Sequence, residues 1–288
     1  DIAGRMRDMN GALTVVATRK QAYELFLKLP KEGRFHLSTL MCPVHRSEVL
    51  DEIRRRLKSP DKPPCRVAAT SLVEAGVDVD FPAVFRAEAG LDSIIQAAGR
   101  CNREGKNPWE ESFVYIFMPE DEPPGRIKKY VEIYRETAEF VEDLASPEAI
   151  RAYFDALHEF EEEMLGQRGM DEENILRIIE DGFHGGRLPF PEVDSRFRLI
   201  DTDTKSVLIP WDDKARKIRQ ALLQGDFSRK RLREAGPYLV NIYPGHFEEL
   251  ERAGDILIVG ENLAVLTVDA ITEDTAVYSK ETGLSLKG

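Results

Sequence analysis

Short apolar, β-branched runs alternate with amphipathic stretches over the first 120 residues. Ala12 to Ala17 is a run of the kind buried on both faces of a sheet. Thr18 follows as a helix N-cap, and Tyr23, Phe26 and Leu27 put apolar groups on one face of a helix reaching Leu29. Leu37 to Met41 predicts a second strand, and Val49, Ile53 and Leu57 mark a second amphipathic helix. Arg66 to Ala69, Ala83 to Ala87 and Phe113 to Phe117 predict three more strands. A helix from Asp92 to about Arg100 has Ile94, Ile95 and Ala98 facing inward. This alternation predicts an α/β fold with a doubly wound parallel sheet over residues 1–120.

The pattern changes twice beyond that point. After the breaker Pro123-Pro124-Gly125, helical spacing recurs through three Glu-rich helices, at 127–144, 149–165 and 171–183, which predicts a solvated helical connector over 121–190. From 191 to 288 short strands and helices mix. Strands are expected at 197–200 and 206–209 as a hairpin, then at 238–242, 256–259, 264–267 and 276–278. Helices are expected at 213–223 and 228–234. This is a small α+β C-terminal domain.

Charge sharpens the division. Residues 1–120 carry 18 Lys and Arg against 17 Asp and Glu, residues 121–190 carry 8 against 18, and residues 191–288 carry 14 against 17. The net charge of −12 therefore belongs mostly to the connector, and a local basic groove elsewhere remains compatible with it. Three cysteines without metal spacing imply reduced thiols in a cytoplasmic protein. No apolar run approaches the roughly 20 residues of a membrane span. The chain opens without a methionine or signal peptide and has the look of an excised fragment.

Two polar clusters carry the candidate chemistry. Thr70, Glu74, Gly76, Asp78 and Asp80 follow a buried strand. Gly76 can take a conformation closed to other residues, and Asp78 can accept hydrogen bonds from a sugar hydroxyl. The hydroxyl of Thr70 suits a nucleic-acid phosphate. Gln96, Gly99, Arg100 and Arg103 would share one helix face, where two guanidiniums suit an anion with several oxygens. Each residue alone is more often a turn former or a solvated arginine. The basic stretch Arg229 to Arg233 reads first as a solvated helix face, with a DNA contact as the sharper alternative.

Thr70-x-x-x-Glu-x-Gly-x-Asp and Gln96-x-x-Gly-Arg-x-x-Arg together resemble motifs V and VI of superfamily 2 helicases. The match is similar in more detail to the helicase part of the CRISPR-associated helicase-nuclease family of type I systems. It runs through Ser71 to Phe81, Leu91 to Gly105, Gly236 to Tyr243, and Tyr278 to Leu284. The resemblance implies that 1–120 is the second of two RecA-like domains. Gln96, Arg100 and Arg103 would then be catalytic, Gly76, Asp78 and Gly99 would bind ATP, and Thr18 and Thr70 would hold nucleic acid. It also implies ATP and Mg2+, both bound mainly by a first RecA-like domain, with single-stranded DNA and an RNA-guided surveillance complex as partners. The whole protein would be an ATP-dependent helicase in antiviral defence, and this fragment alone would be inactive.

The chain departs from the family at Ala97, where an arginine is common, and Pro43 to Arg46 matches a His-Ser-Arg motif only in part. No phosphate-loop motif, Asp-Glu-x-His motif or paired His-Asp nuclease motif occurs, and the five histidines read as packing or surface residues. A general superfamily 2 repair or RNA helicase would share the two motifs without the same C-terminal domain. A non-catalytic interaction module would suit the acidic connector alone.

Overall fold

A computed structural model of the chain describes residues 1–165, 174–197, 204–271 and 277–285. The chain folds as two compact units, residues 1–124 with 203–288, and residues 125–202. The sequence divides into three consecutive segments, but in space the first and third form one body.

In the first unit, α1 (Ile2–Arg7) leads into β1 (Gly11–Val16), α2 (Arg19–Lys28), β2 (Arg34–Leu37), α3 (Pro43–Lys58), β3 (Cys65–Thr70), β4 (Ala83–Ala87), α4 (Leu91–Ala98) and β5 (Phe113–Phe117). The five strands form an all-parallel sheet in the order β2-β3-β1-β4-β5. Period-two alternation sorts the two faces. Leu13, Val15, Val67, Ala69 and Val84 pack with Ile53 of α3 and Ala97 of α4. Ala12, Ala68, Ala83 and Phe85 pack with Met6 of α1 and Phe26 of α2. The doubly wound α/β expectation holds, with helices on both faces.

Three local expectations shift. The second strand is Arg34–Leu37 rather than 37–41, because Leu40 and Cys42 turn away into a different core. On α2, Ala22 and Phe26 are buried while Tyr23 and Leu27 stay exposed. On α4 the buried residues are Leu91, Ile94 and Ala97. The methyl group of Ala97 is wholly enclosed, so an arginine at this position would have no room in this packing.

The second unit contains α5 (Gly125–Phe140), α6 (Pro147–Leu165), α7 (Ile175–His184) and α8 (Phe190–Arg196). Helices α5 and α6 pack together, as do α7 and α8. The strand expected at 197–200 and its hairpin turn lie almost wholly outside the described residues.

The C-terminal part of the first unit comprises β6 (Lys205–Leu208), α9 (Asp213–Leu223), α10 (Arg229–Ala235), β7 (Leu239–Ile242), α11 (Pro244–Arg252), β8 (Ile256–Gly260) and β9 (Leu263–Leu266). Its four-stranded sheet has the order β7-β6-β9-β8. Strand β6 pairs antiparallel with β7 and parallel with β9, which places it centrally. A closing pair, β10 (Tyr278–Ser279) and β11 (Gly283–Leu284), returns to the first sheet's connections. There the Leu284 N–H donates to the Leu40 carbonyl at 2.8 Å, and Arg34 meets Glu281 at 3.1 Å. His45 stacks on Trp211 with ring centroids 4.2 Å apart. These contacts explain the displaced second strand: residues 38–42 serve the C-terminal core.

Candidate functional site

Strands β1 and β3 are central neighbours and end together, with Val16 paired to Thr70. Just past β1, Thr18 caps α2. Its hydroxyl oxygen accepts from the Gln21 N–H at 3.1 Å, and the Gln21 side chain accepts from the Thr18 N–H at 3.3 Å. The cap uses the oxygen as acceptor and leaves the hydroxyl hydrogen to donate. Thr70 closes β3 and is only 7% exposed. Both threonines therefore mark the carboxyl edge of the sheet, the edge at which open α/β sheets bind ligands.

The segment after Thr70 crosses one face of the sheet. Val73, Val77 and Val79 are its buried anchors, and Ser71, Ala75, Gly76 and Asp78 face outward. Gly76 sits at φ +71 with open space where a Cβ would point. The Glu74 side chain turns inward, 2.9 Å from an Arg86 nitrogen, and accepts from the Ser93 hydroxyl at 3.1 Å. Burial pushes the Glu74 carboxyl up and the Arg86 guanidinium down, and each opposes the other's shift.

Helix α4 stops at Ala98, so Gln96, Gly99, Arg100 and Arg103 do not lie on one helix face. The chain turns instead. The Arg100 carbonyl accepts from the Phe81 N–H at 2.9 Å, and the Asn102 N–H donates to the Phe81 carbonyl at 2.9 Å. Asn102 takes a left-handed φ of +47. The pull of this short pairing with the residues before β4 outweighs continuation of the helix. Gly99 has an ordinary φ of −63, and a Cβ there would meet only carbonyls of its own helix, at 3.4 and 3.6 Å.

The turn still brings the two clusters together. Arg100 reaches back along the segment, its Nε donating to the Val73 carbonyl at 3.0 Å and its Nη2 to the Glu74 carbonyl at 2.6 Å. Arg103 pairs with Asp78 at 2.5 Å, and its N–H donates to the Asp80 carboxylate at 2.7 Å. Burial and the neighbouring Arg103 lower the Arg100 pKa, and Asp78 opposes this. Gln96 projects into solvent on the preceding turn. Asp78 and Asp80 also border an open cleft of about 610 Å3 that includes Gly11, Arg54 and Lys62. That cleft lies at the amino ends of β1 and β4. Positions that look destined for one sheet edge are therefore spread over two, with the glutamate and the arginine turn between them.

Residues 8–106, which contain both clusters, match the family described as CRISPR-associated nuclease/helicase Cas3, C-terminal. Over those residues the chain is similar to the C-terminal part of Cas3.

Cas3 of Haloferax volcanii is 28% identical over 166 residues, taking in 48% of this chain and 17% of that protein. Among solved structures, T. fusca Cas3 with AMPPNP superposes with a TM-score of 0.58 at 14% identity, covering 99% of this chain and 40% of that one. T. fusca Cas3 with ATP gives 0.54 at 15% identity, covering 95% and 37%. At these identities the likeness shows the fold, which is RecA-like in the sheet domain. The chain spans well under half of each of these relatives.

Three contributors to this candidate site escape a reading by motif. Arg86 passes as an ordinary strand residue, although a charge inside the run Ala83 to Ala87 is itself a signal, since a buried strand tolerates one only when it is paired. Ser93 completes that pairing. Arg54 donates to the Asp78 carbonyl at 3.0 Å from a distant helix, which no local pattern announces. His45 and His36 are buried packing residues. Among the described residues, no group of three or more His, Cys, Asp or Glu could hold a metal ion. Nor is any described helix long and apolar enough to cross a membrane.

Proposed function

We propose that this chain is the C-terminal part of a cytoplasmic ATP-dependent translocase or helicase that moves on single-stranded DNA in CRISPR antiviral defence. Residues 1–120 would be its second RecA-like domain, 121–190 its connector and 191–288 its accessory domain. The observation that carries the reading is the convergence of Arg100, Arg103 and Asp78 beside the left-handed turn at Gly76. Two guanidiniums and a carboxylate at one exposed place suit a nucleoside triphosphate, with phosphates toward the arginines and ribose hydroxyls toward Asp78.

Arg100 and Arg103 act as arginine fingers on ATP held mainly by another RecA-like domain. Arg103 exchanges its exposed Asp78 partner for phosphate oxygens, and Arg100 offers the Nη1 not used in its two carbonyl bonds. Such fingers are worth about 10³–10⁵ in rate in GTPases. Gln96, exposed one turn earlier, orients the γ-phosphate or the attacking water. Gly76 and Gly99 keep the approach free of side chains. Mg2+ would be held mainly by the other RecA-like domain. Thr18 and Thr70 hold the phosphate backbone of one strand at the carboxyl edge, Thr70 chiefly through neighbouring N–H groups because its side chain is buried. Solved T. fusca Cas3 structures with ATP and AMPPNP support the nucleotide, and a similar chain in a CRISPR RNA-guided surveillance complex, pre-nicking, supports that partner.

Arg100→Ala in the full-length protein tests this reading. DNA-stimulated ATP hydrolysis should be abolished while single-strand binding stays nearly intact, and wild-type turnover would rule out the finger role. The chain by itself should not hydrolyse ATP.

A further inference from the structure

The densest positive charge in the chain lies outside the site above. From Asp213 to Ala235, across α9 and α10, there are eight Lys and Arg against three acidic residues, a net +5 in a chain of −12. The structure divides these cations by role. Arg216 pairs with Asp213. Arg219 binds the Leu266 and Thr267 carbonyls and Asp269, and Arg231 binds Asp226 and Glu234. These three build the helical hairpin and tie it to the sheet.

The other five, Lys214, Lys217, Arg229, Lys230 and Arg233, are exposed and enter no ion pair among the described residues. Lys214 and Lys217 are three apart on α9. Arg229 and Arg233 are four apart on α10 with Lys230 beside them, so each set shares a helix face. The helices pack on each other through Ala215, Ile218, Leu222 and Ala235, which orders both sets on one scaffold. Between the helices, Phe227 is 41% exposed and its ring lies beside Gly260 of β8. Unpaired like charges repel one another in the free protein, and an anion relieves that cost.

We propose that the α9–α10 hairpin is a second binding surface for single-stranded nucleic acid. Its free cations follow successive phosphates and Phe227 stacks on a base. Positive charge with an interleaved exposed aromatic is the combination that holds single strands without reading sequence. An acidic protein segment would satisfy the charge but would leave Phe227 without a purpose. This surface deepens the nucleic-acid part of the function proposed above, and it does not depend on the arginine fingers.

Anisotropy of fluorescein-labelled oligo-dT, titrated with this 288-residue chain at several salt concentrations, tests the proposal. Neutralising Arg229, Lys230 and Arg233 to Ala should weaken binding about tenfold or more and flatten the log–log salt slope by about 2, at about 0.7 per lost phosphate contact. Phe227→Ala should weaken binding about fivefold or more at an unchanged slope. A double Lys214→Ala, Lys217→Ala variant, acting on the other helix, should flatten the slope again. Arg229→Lys with Arg233→Lys should retain it, and circular dichroism confirms that each variant folds.

No binding by the wild-type chain at low salt, or an unchanged slope in the neutralised variants, would overturn the proposal. So would displacement of oligo-dT by poly-glutamate at lower concentration than by unlabelled oligo-dT, or tighter binding of duplex. Loss of ATP hydrolysis in Arg100→Ala leaves these readouts untouched, so the two ideas fail separately.

Discussion

Glu74 and Arg86 lie 2.9 Å apart with 7% and 3% of their side chains exposed, a buried ion pair joining the segment after β3 to the middle of β4. The contact is one of charge rather than aligned hydrogen bonding, and the Arg86 Nη1 adds a bond to the Ala87 carbonyl at 2.9 Å. Through its own carbonyl, Glu74 also accepts from Arg100 at 2.6 Å. One residue therefore fixes a strand with its side chain and the leading arginine with its backbone.

Removing half of this pair should be far worse than removing both. Glu74→Ala leaves the Arg86 charge buried without compensation and should cost about 3–5 kcal/mol, whereas Glu74→Met with Arg86→Leu should be near neutral. Chemical denaturation of both variants distinguishes them. A cost under about 1 kcal/mol for the single variant would mean that the pair is not structural.

The C-terminal pair β10–β11 is held by a chain of three hydrogen bonds through four residues. The Lys280 carbonyl accepts from His45 Nε2 at 2.8 Å, which leaves Nδ1 of the neutral ring to accept from the Tyr278 hydroxyl at 2.9 Å. The Cys42 N–H donates to the same hydroxyl at 3.0 Å. Tyr278→Phe strands two buried polar groups and should cost about 1–3 kcal/mol. The shift in denaturation midpoint measures it.

Acid should loosen the same region. Burial lowers the imidazole pKa of His36 and His45 to about 4, from 6.5. Between those values the unfolded chain binds protons that the folded chain refuses. The contribution is therefore full above pH 6.5 and is lost as pH falls toward 4. Each histidine contributes at most about 3 kcal/mol. His45→Gln should remove about half of that histidine-dependent slope, read as the difference between variant and wild-type urea midpoints against pH.

Two glycines of like conformation should respond very differently to alanine. Gly76 and Gly283 sit at φ +71 and +83, but a Cβ at Gly76 meets open space while one at Gly283 falls 2.4 Å from the Leu40 carbonyl oxygen. Gly76→Ala should cost about 1–2 kcal/mol of backbone strain. Gly283→Ala adds a backbone collision and should cost about 3 kcal/mol or more. Equal midpoints for the two would contradict the docking of β11 on Leu40.

The parallel α/β sheet is legible in the alternation of apolar runs with amphipathic stretches, although period alone turned α2 and α4 partly the wrong way. The run Ala83 to Ala87 and the helix at 213–223 need no partner to be recognised. Thr18 was legible as a cap, and the residues of both motif clusters were legible from their types and spacing. Which residues meet follows from the packing of distant elements. It ended α4 at Ala98 and turned Arg100 back onto the carbonyls of Val73 and Glu74, because pairing with Phe81 competes with helix continuation. It drew Leu40 and Cys42 out of the expected second strand into a core completed by Tyr278, 236 positions from Cys42. Periodicity encodes which side of an element avoids water. The partner waiting on that side is set by how distant elements pack.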